Sequence, residues 1–170
     1  MDTTGATGTS AEIDLSTLTT ESVDPRYSDL DTLDVASLTA AMNEAEAEVS
    51  VAVRAALPQI TDAVEQIVDR VRAGGRILYV GAGTPGRLGV LDASECPPTF
   101  STDPETVQGI IAGGPAALRD AVEGAEDDTA AGAALVDEHL VTAADTVVGL
   151  TASGRTPYVL AAVEAARSAG

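Results

Sequence analysis

Residues 76–100 read RILYVGAGTPGRLGVLDASECPPTF, and this stretch decides the fold. Its first five residues are mostly apolar and predict a buried strand. The three glycines that follow, Gly81, Gly83 and Gly86, predict a tight turn that leads into a helix. Glycine lets a ligand approach the backbone, and the first N–H groups of a helix have no partner inside it. The stretch therefore predicts a cradle for an anionic group.

The helix after this turn is predicted over residues 87–94. It is expected to end before Pro97 and Pro98, because proline lacks an N–H donor and restricts the residue that precedes it. Glu95 is then expected where the chain leaves the helix, close in sequence to the cradle.

Strands and helices continue to alternate after this stretch. The predicted strands span 107–112 and 146–150, and the predicted helices span 115–122, 127–139 and 158–169. This alternation is typical of an α/β fold with a parallel sheet. Ligands of such sheets bind beyond the carboxyl ends of the strands, where the loops 81–87 and 151–156 are expected.

The N-terminal third carries no strand pattern. Residues 1–18 are rich in Thr, Ser, Gly and Ala and predict a disordered leader. Residues 19–57 predict a polar arm and a helix capped by Asp34, and a second helix is expected to start at Pro58. Residues 58–170 form the predicted α/β domain. It is expected to be incomplete at its C-terminus, because only three strands are visible.

The composition excludes some classes of partner. The net charge is −18, with nine arginines and no lysine, which argues against nucleic acid or an anionic membrane surface. The single cysteine excludes an intrachain disulfide. Neither a secretory signal nor an apolar run of membrane-spanning length is visible, so we expect a cytoplasmic protein.

The glycine turn admits a second interpretation. Residues 81–86 match the dinucleotide-binding pattern G-x-G-x-x-G after a strand. A dinucleotide site also requires an acidic residue at the end of the next strand, whereas Asp103 and Glu105 lie before that strand begins. The pattern therefore favours another anion, and a purely structural turn stays open as an alternative.

The segment TASGRT, residues 151–156, places three hydroxyls and a helix start after the third strand. Hydroxyls and backbone N–H groups bind phosphate without lysine. An ordinary helix cap by Thr or Ser is the alternative. The second glycine-containing loop at the same edge favours phosphate.

Two glutamates are candidates for acid–base chemistry, Glu95 beside the cradle and Glu126 in the acidic segment 123–128. Either one alone is more typical of a solvated carboxylate, since the chain has 27 acidic residues. His139 is expected at the surface, and Cys96 is expected to pack as a small apolar side chain.

Several of these motifs occur together in one family. GAGTPGRLGVLDASECPPTF, VQGIIAGG, AVEGAEDD and TASGRTPYV, with the arm TESVDPRYSDLDTLD, closely resemble the N-acetylmuramic acid 6-phosphate etherases over residues 19–170. The resemblance implies a three-layer SIS (sugar isomerase) fold with a parallel sheet, preceded by a helical segment. Family members continue well beyond this length, so the chain is expected to be an N-terminal portion.

The resemblance also implies a lyase that cleaves the D-lactyl ether of its substrate and releases N-acetylglucosamine 6-phosphate and D-lactate. Glu95 matches the proton donor of the family, and Glu126 matches its second catalytic glutamate, assigned here as the base at C2. No metal or organic cofactor is implied, and a homodimer is expected. The substrate contacts carried over are Gly83, Thr84, Arg87, Thr151, Ser153, Gly154 and Thr156.

The chain departs from the family pattern at a few positions. Pro85 stands where the family usually has Ser, which removes a hydroxyl and an N–H from the cradle, although the fold should tolerate proline near a helix start. Val23 and Asp24 replace the usual Arg and Asn of the arm. The alternative functions are a non-catalytic phosphosugar-binding regulator akin to the glucokinase regulatory protein, and an inactive fragment.

Overall fold

The computed structural model describes Thr20 and residues 22–170. The described residues fall into two compact units, within Met1–Ala52 and Val53–Gly170. The predicted leader, residues 1–18, lies outside the described residues.

The arm of the first unit is held by Arg26. Two short 3-10 helices, Pro25–Tyr27 and Leu30–Thr32, form most of the arm. The Asp24 carboxylate accepts the Arg26 backbone N–H at 2.9 Å and also pairs with its guanidinium, whose Nη2 donates to Glu48 Oε2 at 3.1 Å. Asp24, which differs from the family pattern, therefore caps the first turn of the arm.

A single helix, α1, extends over Val35–Arg72 with Pro58 inside it. The prediction of two helices is therefore wrong. The φ angle of proline is itself helical, and the missing N–H removes one hydrogen bond from a ladder of 38 residues. The prediction that Asp34 caps the helix is confirmed, because its Oδ1 accepts the Ser37 N–H at 2.7 Å. All residues of α1 are described and none of them is buried.

Three parallel strands form the sheet of the second unit, as predicted. They are β1 (Ile77–Gly81), β2 (Val107–Ile111) and β3 (Thr146–Leu150), in the order β2-β1-β3. The register pairs Gly81, the last residue of β1, with Ile111 on one side and Leu150 on the other. The carboxyl ends of all three strands are therefore level with one another.

Helices cover both faces of this sheet. The helix α2 (Gly83–Phe100) contacts β2 and β1, whereas α4 (Pro157–Ala169) contacts β3 and β1 and packs against α3 (Thr129–Glu138). Side chains of neighbouring residues in a strand point to opposite faces. Tyr79 accordingly lies against α2, and Val80 belongs to the core cluster formed with α3 and α4. This arrangement confirms the predicted three-layer α/β architecture with an aliphatic core.

Small residues let α2 lie close to the sheet. A Cβ atom on Gly109 of β2 would lie 2.5 Å from Val90 Cα, so the backbones of strand and helix are nearly in contact there. Glycine weakens the interior of a strand, and the close approach of α2 explains why it occupies this position in β2.

The prediction that α2 ends before Pro97 is wrong, since the helix includes Pro97 and Pro98 and continues to Phe100. The missing N–H groups fall near the last turn, where few hydrogen bonds are lost. Ser101 then ends the helix with φ 56° and donates its N–H to the Pro97 carbonyl at 2.9 Å. Glu95 consequently lies inside the helix and not at its exit.

The start of α2 also differs from the prediction. The helix begins at Gly83, four residues before the predicted start at Arg87, so Pro85 lies in its first turn. The expectation that the fold tolerates proline at this position is confirmed, because the N–H groups of the first turn have no intrahelical acceptor.

The prediction of an α-helix over residues 115–122 is wrong, since only a 3-10 helix over Gly114–Leu118 forms there. The segment instead folds back, and a Cβ atom on Gly113 would lie 2.9 Å from Val122 Cβ. In a continuous α-helix these residues would be roughly 13 Å apart along the axis, at about 1.5 Å per residue. A tertiary contact thus overrides the local preference.

Candidate active site

Three loops leave the sheet at the same edge, as predicted. Because Gly81 pairs with Leu150, the loop that opens α2 and the loop 151–156 start on neighbouring strands, which lie about 4.8 Å apart. The loop after β2 starts beside them, because Ile111 pairs with Gly81 from the other side. The described chain therefore has one edge at which loops meet helix N-termini, and this edge carries most of the predicted site.

A cavity of about 190 Å³ lies at this edge, between the start of α2 and the loop that follows β2. It brings together three of the predicted site residues: Gly83, Arg87 and Glu126. The remaining lining residues are Ala82, Ala112, Ala117, Ala121, Val122, Glu123, Gly124 and Ala125. The cavity wall is thus made of small apolar side chains with three charged groups.

The half-buried side chain of Arg87 is fixed by backbone carbonyls. Its Nε donates to the Leu118 carbonyl at 3.3 Å, and its Nη2 donates to the Asp120 carbonyl at 3.3 Å. These two bonds attach the loop after β2 to the first part of α2. They leave three of the five guanidinium N–H groups available to a ligand.

Glu126 lies on a 3-10 helix, Ala125–Asp127, that begins after Gly124 in a left-handed conformation. Its side chain is exposed at the cavity. Glu123 lines the same cavity, and we did not predict it as a site residue. Its position immediately before Gly124, three residues from Glu126, was the available signal.

The loop 151–156 has its own hydrogen bonds. The hydroxyls of Thr151 and Thr156 lie 2.8 Å apart, and Ser153 Oγ accepts the Arg155 N–H at 3.2 Å. Thr156 occupies the N-cap position of α4, yet its side chain makes no capping hydrogen bond. The alternative of an ordinary cap therefore does not describe Thr156. Gly154, with φ 71°, completes the turn.

The structure does not bring Glu95 to this cavity within one subunit. Glu95 is exposed and lies twelve positions after Gly83, or about 18 Å along the axis of α2. Two large apolar side chains, Leu91 and Leu88, are exposed one and two turns before it, respectively. Spacings of three and four place these three residues on one stripe of the helix. Thr84 is exposed in the first turn of the same helix.

His139 and Cys96, the two other residues with potentially reactive side chains, make contacts within the fold. His139 is half-buried at the end of α3, and its carbonyl accepts Arg76 Nη2 at 3.0 Å, so the prediction of a surface residue is only partly met. Cys96 is half-buried, and its thiol lies 3.4 Å from the Asp92 carbonyl.

Among the described residues, no group of three or more His, Cys, Asp or Glu side chains is placed to hold a metal ion. Over Thr20 and 22–170, none of the helices is both long and apolar enough to span a membrane.

Comparison with known proteins agrees with the motifs. A family model described as the glucokinase regulatory protein N-terminal SIS domain matches residues 59–167. An N-acetylmuramic acid 6-phosphate etherase of Streptomyces avermitilis is 52% identical over 161 residues, covering 95% of this chain and 52% of that protein. The chain belongs to the N-acetylmuramic acid 6-phosphate etherase family.

Other members of this etherase family match equally well. The protein of Gloeobacter violaceus is 57% identical over 153 residues, which is 90% of this chain and 50% of that protein. That of Mycolicibacterium smegmatis is 53% identical over 158 residues, which is 93% of this chain and 53% of that protein. The chain thus spans about half the length of these curated relatives. The family match confirms the predicted SIS fold.

Proposed function

We propose that the chain provides the phosphosugar site of an etherase that cleaves the D-lactyl ether of N-acetylmuramic acid 6-phosphate. The products are N-acetylglucosamine 6-phosphate and D-lactate. The observation that carries the proposal is the cavity at the carboxyl edge of the sheet, where Glu126, Arg87 and Gly83 meet in a chain of this family.

The reaction needs two carboxyl groups in different protonation states. In the open-chain sugar, the C2 proton is acidic because C2 is next to the aldehyde carbon, and ionised Glu126 removes it. The electron pair forms a C2–C3 double bond while the C3–oxygen bond breaks, and protonated Glu95 gives its proton to the departing lactate oxygen. Water then adds at C3, and C2 regains a proton.

The phosphate belongs at the second loop. Thr151, Ser153 and Thr156 lie in the loop that leads into α4, and the Thr156 side chain does not cap this helix. The N–H groups at a helix N-terminus attract an anion. Thr84 adds a hydroxyl from the neighbouring helix start. Drug-sized ligands occupy cavities of about 300–1,000 Å³. The cavity at Glu126 is smaller, so it accommodates one end of the sugar while the phosphate lies outside it.

A second copy of the chain completes the proposed site. Glu95 lies about 18 Å along α2 from Gly83 and does not line the cavity that holds Glu126, so the proposed site takes its Glu95 from another subunit. The exposed stripe of Leu88, Leu91 and Glu95 supports this arrangement, because burying it against a partner removes apolar surface from water. The proposed assembly is a homodimer with composite sites. We place it in the cytoplasm, with neither nucleic acid nor membrane as a partner.

Release of D-lactate from N-acetylmuramic acid 6-phosphate tests this function. The purified chain is expected to release lactate, and Glu126→Gln is expected to reduce the rate at least about a hundredfold, as loss of a general base does. Glu164→Gln, an exposed carboxylate on α4, is the matched control and should retain the full rate. Equal rates for the wild type and Glu126→Gln would contradict the proposal.

A non-catalytic phosphosugar sensor is the second candidate. It is favoured by the match to a domain described as part of a regulatory protein and by the distance of Glu95 from the cavity. In that case N-acetylglucosamine 6-phosphate should raise the melting temperature of the chain, while no lactate is released by the wild type or by any variant.

A further inference from the structure

The charges around the small cavity distinguish between the two anionic groups of the proposed substrate. Of the described residues that line it, Arg87 alone is cationic, and Glu123 and Glu126 are acidic. A phosphate monoester brings roughly −1.5 to −2 charges at pH 7 and would meet two carboxylates with one guanidinium. A carboxylate brings a single charge, which one guanidinium can match.

The geometry of Arg87 also suits a carboxylate. The bonds to the Leu118 and Asp120 carbonyls occupy Nε and one N–H of Nη2, so both N–H groups of Nη1 and one of Nη2 remain. Guanidinium and carboxylate groups are planar and pair through two parallel hydrogen bonds. Because the side chain is already held by two carbonyls, little rotamer freedom is lost when a ligand binds.

The location of Arg87 matches the chemistry at C3. It lines the same cavity as Glu126, the proposed base at C2, and the lactyl group is attached to the adjacent carbon. A volume of about 190 Å³ accommodates a three-carbon side chain but lies below the range for a whole sugar phosphate.

We propose that Arg87 binds the carboxylate of the lactyl side chain and thereby selects sugars that carry it. This inference rests on the proposed function and goes beyond it, because it assigns the two anions of the substrate to two different places. The lactyl carboxylate lies at Arg87, and the phosphate lies at the loop 151–156.

Binding of two ligands to Arg87 variants tests the assignment. Affinities for N-acetylmuramic acid 6-phosphate and N-acetylglucosamine 6-phosphate are measured by calorimetry in the Glu95→Gln background, so that no substrate is consumed. Arg87→Gln should weaken binding of the lactyl sugar by about 10- to 100-fold, the usual effect of losing hydrogen bonds to a charged group. Its affinity for the sugar without the lactyl group should change less than about twofold.

Two further variants complete the experiment. Arg87→Lys retains the charge but not the planar guanidinium group. Its affinity for the lactyl sugar should lie between those of the wild type and Arg87→Gln, and its affinity for the sugar without the lactyl group should not change. Arg119→Gln, an exposed arginine of the same loop, should change neither affinity. Retained binding of N-acetylglucosamine 6-phosphate shows that the variants are folded.

The outcomes separate this inference from the proposed function. If Arg87→Gln weakens the binding of both ligands equally, the inference is overturned, because Arg87 would then hold the loop or contact the phosphate. Unchanged affinity for both ligands overturns it as well. If the Glu95→Gln chain with Arg87 intact binds neither sugar phosphate, the proposed function and this inference both fail.

Discussion

Arg76 and Asp145, which directly precede β1 and β3, form a bidentate ion pair. Arg76 Nη2 lies 2.8 Å from Asp145 Oδ2, and Arg76 Nε lies 3.0 Å from Asp145 Oδ1. The Asp145 carboxylate also accepts the backbone N–H groups of Arg76 and Thr142. Only 4% of its side chain is exposed, so the pair joins residues 69 positions apart at the amino edge of the sheet.

Asp145→Asn should destabilise the fold by about 2–4 kcal/mol. The substitution removes the charge and leaves Arg76 with poorer acceptors, and breaking such a pair costs more than the intact pair contributes. Urea unfolding followed by circular dichroism measures the effect. Asp137→Asn, an exposed aspartate on α3, should change the free energy of unfolding by less than about 0.5 kcal/mol. Similar stabilities for the two variants would show that the pair is unimportant.

The same pair predicts loss of stability in acid. The Arg76 guanidinium and backbone N–H groups lower the pKa of Asp145, whereas burial opposes them. A carboxyl with a lowered folded-state pKa stabilises the fold above its unfolded pKa of about 4, and this contribution declines as the pH falls below that value. The stability difference between wild type and Asp145→Asn should therefore shrink below about pH 4. A constant difference from pH 7 to pH 2 would contradict this.

Tyr79 should ionise well above the ordinary value for tyrosine. Burial between the sheet and α2, together with hydrogen bonding to the Asp92 carboxylate, raises the pKa of Tyr79 to about 12. Because the neutral form is favoured in the folded state, its contribution to stability is present below about pH 10 and lost as the pH rises toward 12. Titration of phenolate absorbance measures this pKa. Asp92→Asn should lower it, and a Tyr79 pKa near 10 in the wild type would refute the prediction.

Gly86→Ala should destabilise the junction of β1 and α2. The added Cβ would lie 2.7 Å from Ile111 Cγ1 and 2.9 Å from the carbonyl carbon of Gly81, so strand or helix must shift. Overpacking of this kind costs about 1–3 kcal/mol. Thermal unfolding measures it, with Ser94→Ala on the exposed face of α2 as the control. A melting temperature equal to that of the control would show that the junction is not tightly packed.

Mixing two inactive variants tests whether the sites are composite. Glu95→Gln and Glu126→Gln should each abolish most lactate release. If each site takes one glutamate from each subunit, mixed dimers contain one intact site, and an equal mixture should recover about a quarter of the wild-type rate. The lactate assay after mixing and re-equilibration measures this. A mixture no more active than its components would place both glutamates in one subunit.

Much of the α/β unit could be predicted from the sequence. Short, largely apolar segments predicted β1, β2 and β3, because strands buried on both faces are rich in apolar residues. The parallel order then placed the loops after Gly81 and Leu150 at one edge. These features depend on residues that are close in sequence, so local patterns were sufficient.

The wrong predictions share one physical cause. A second helix was expected to start at Pro58, and α2 was expected to end before Pro97 and Pro98. Each of these prolines instead lies inside a helix, because the φ angle of proline is helical and the rest of the helix tolerates the lost hydrogen bond. Val122 was expected in a helix, but packing over Gly113 reverses the chain. In each case the packing or the remaining helix outweighs a local preference of at most about 3 kcal/mol.

By itself, the sequence determined the strands, the glycine turn and the family, because these follow from local patterns of apolar residues and glycine. Only the tertiary structure decided which charged groups share a space. It places Arg87 and Glu126 around one cavity although they are 39 positions apart, and it leaves Glu95 three turns along a rigid helix. Distances across a fold depend on how loops return to the sheet, and no local pattern of residues encodes that.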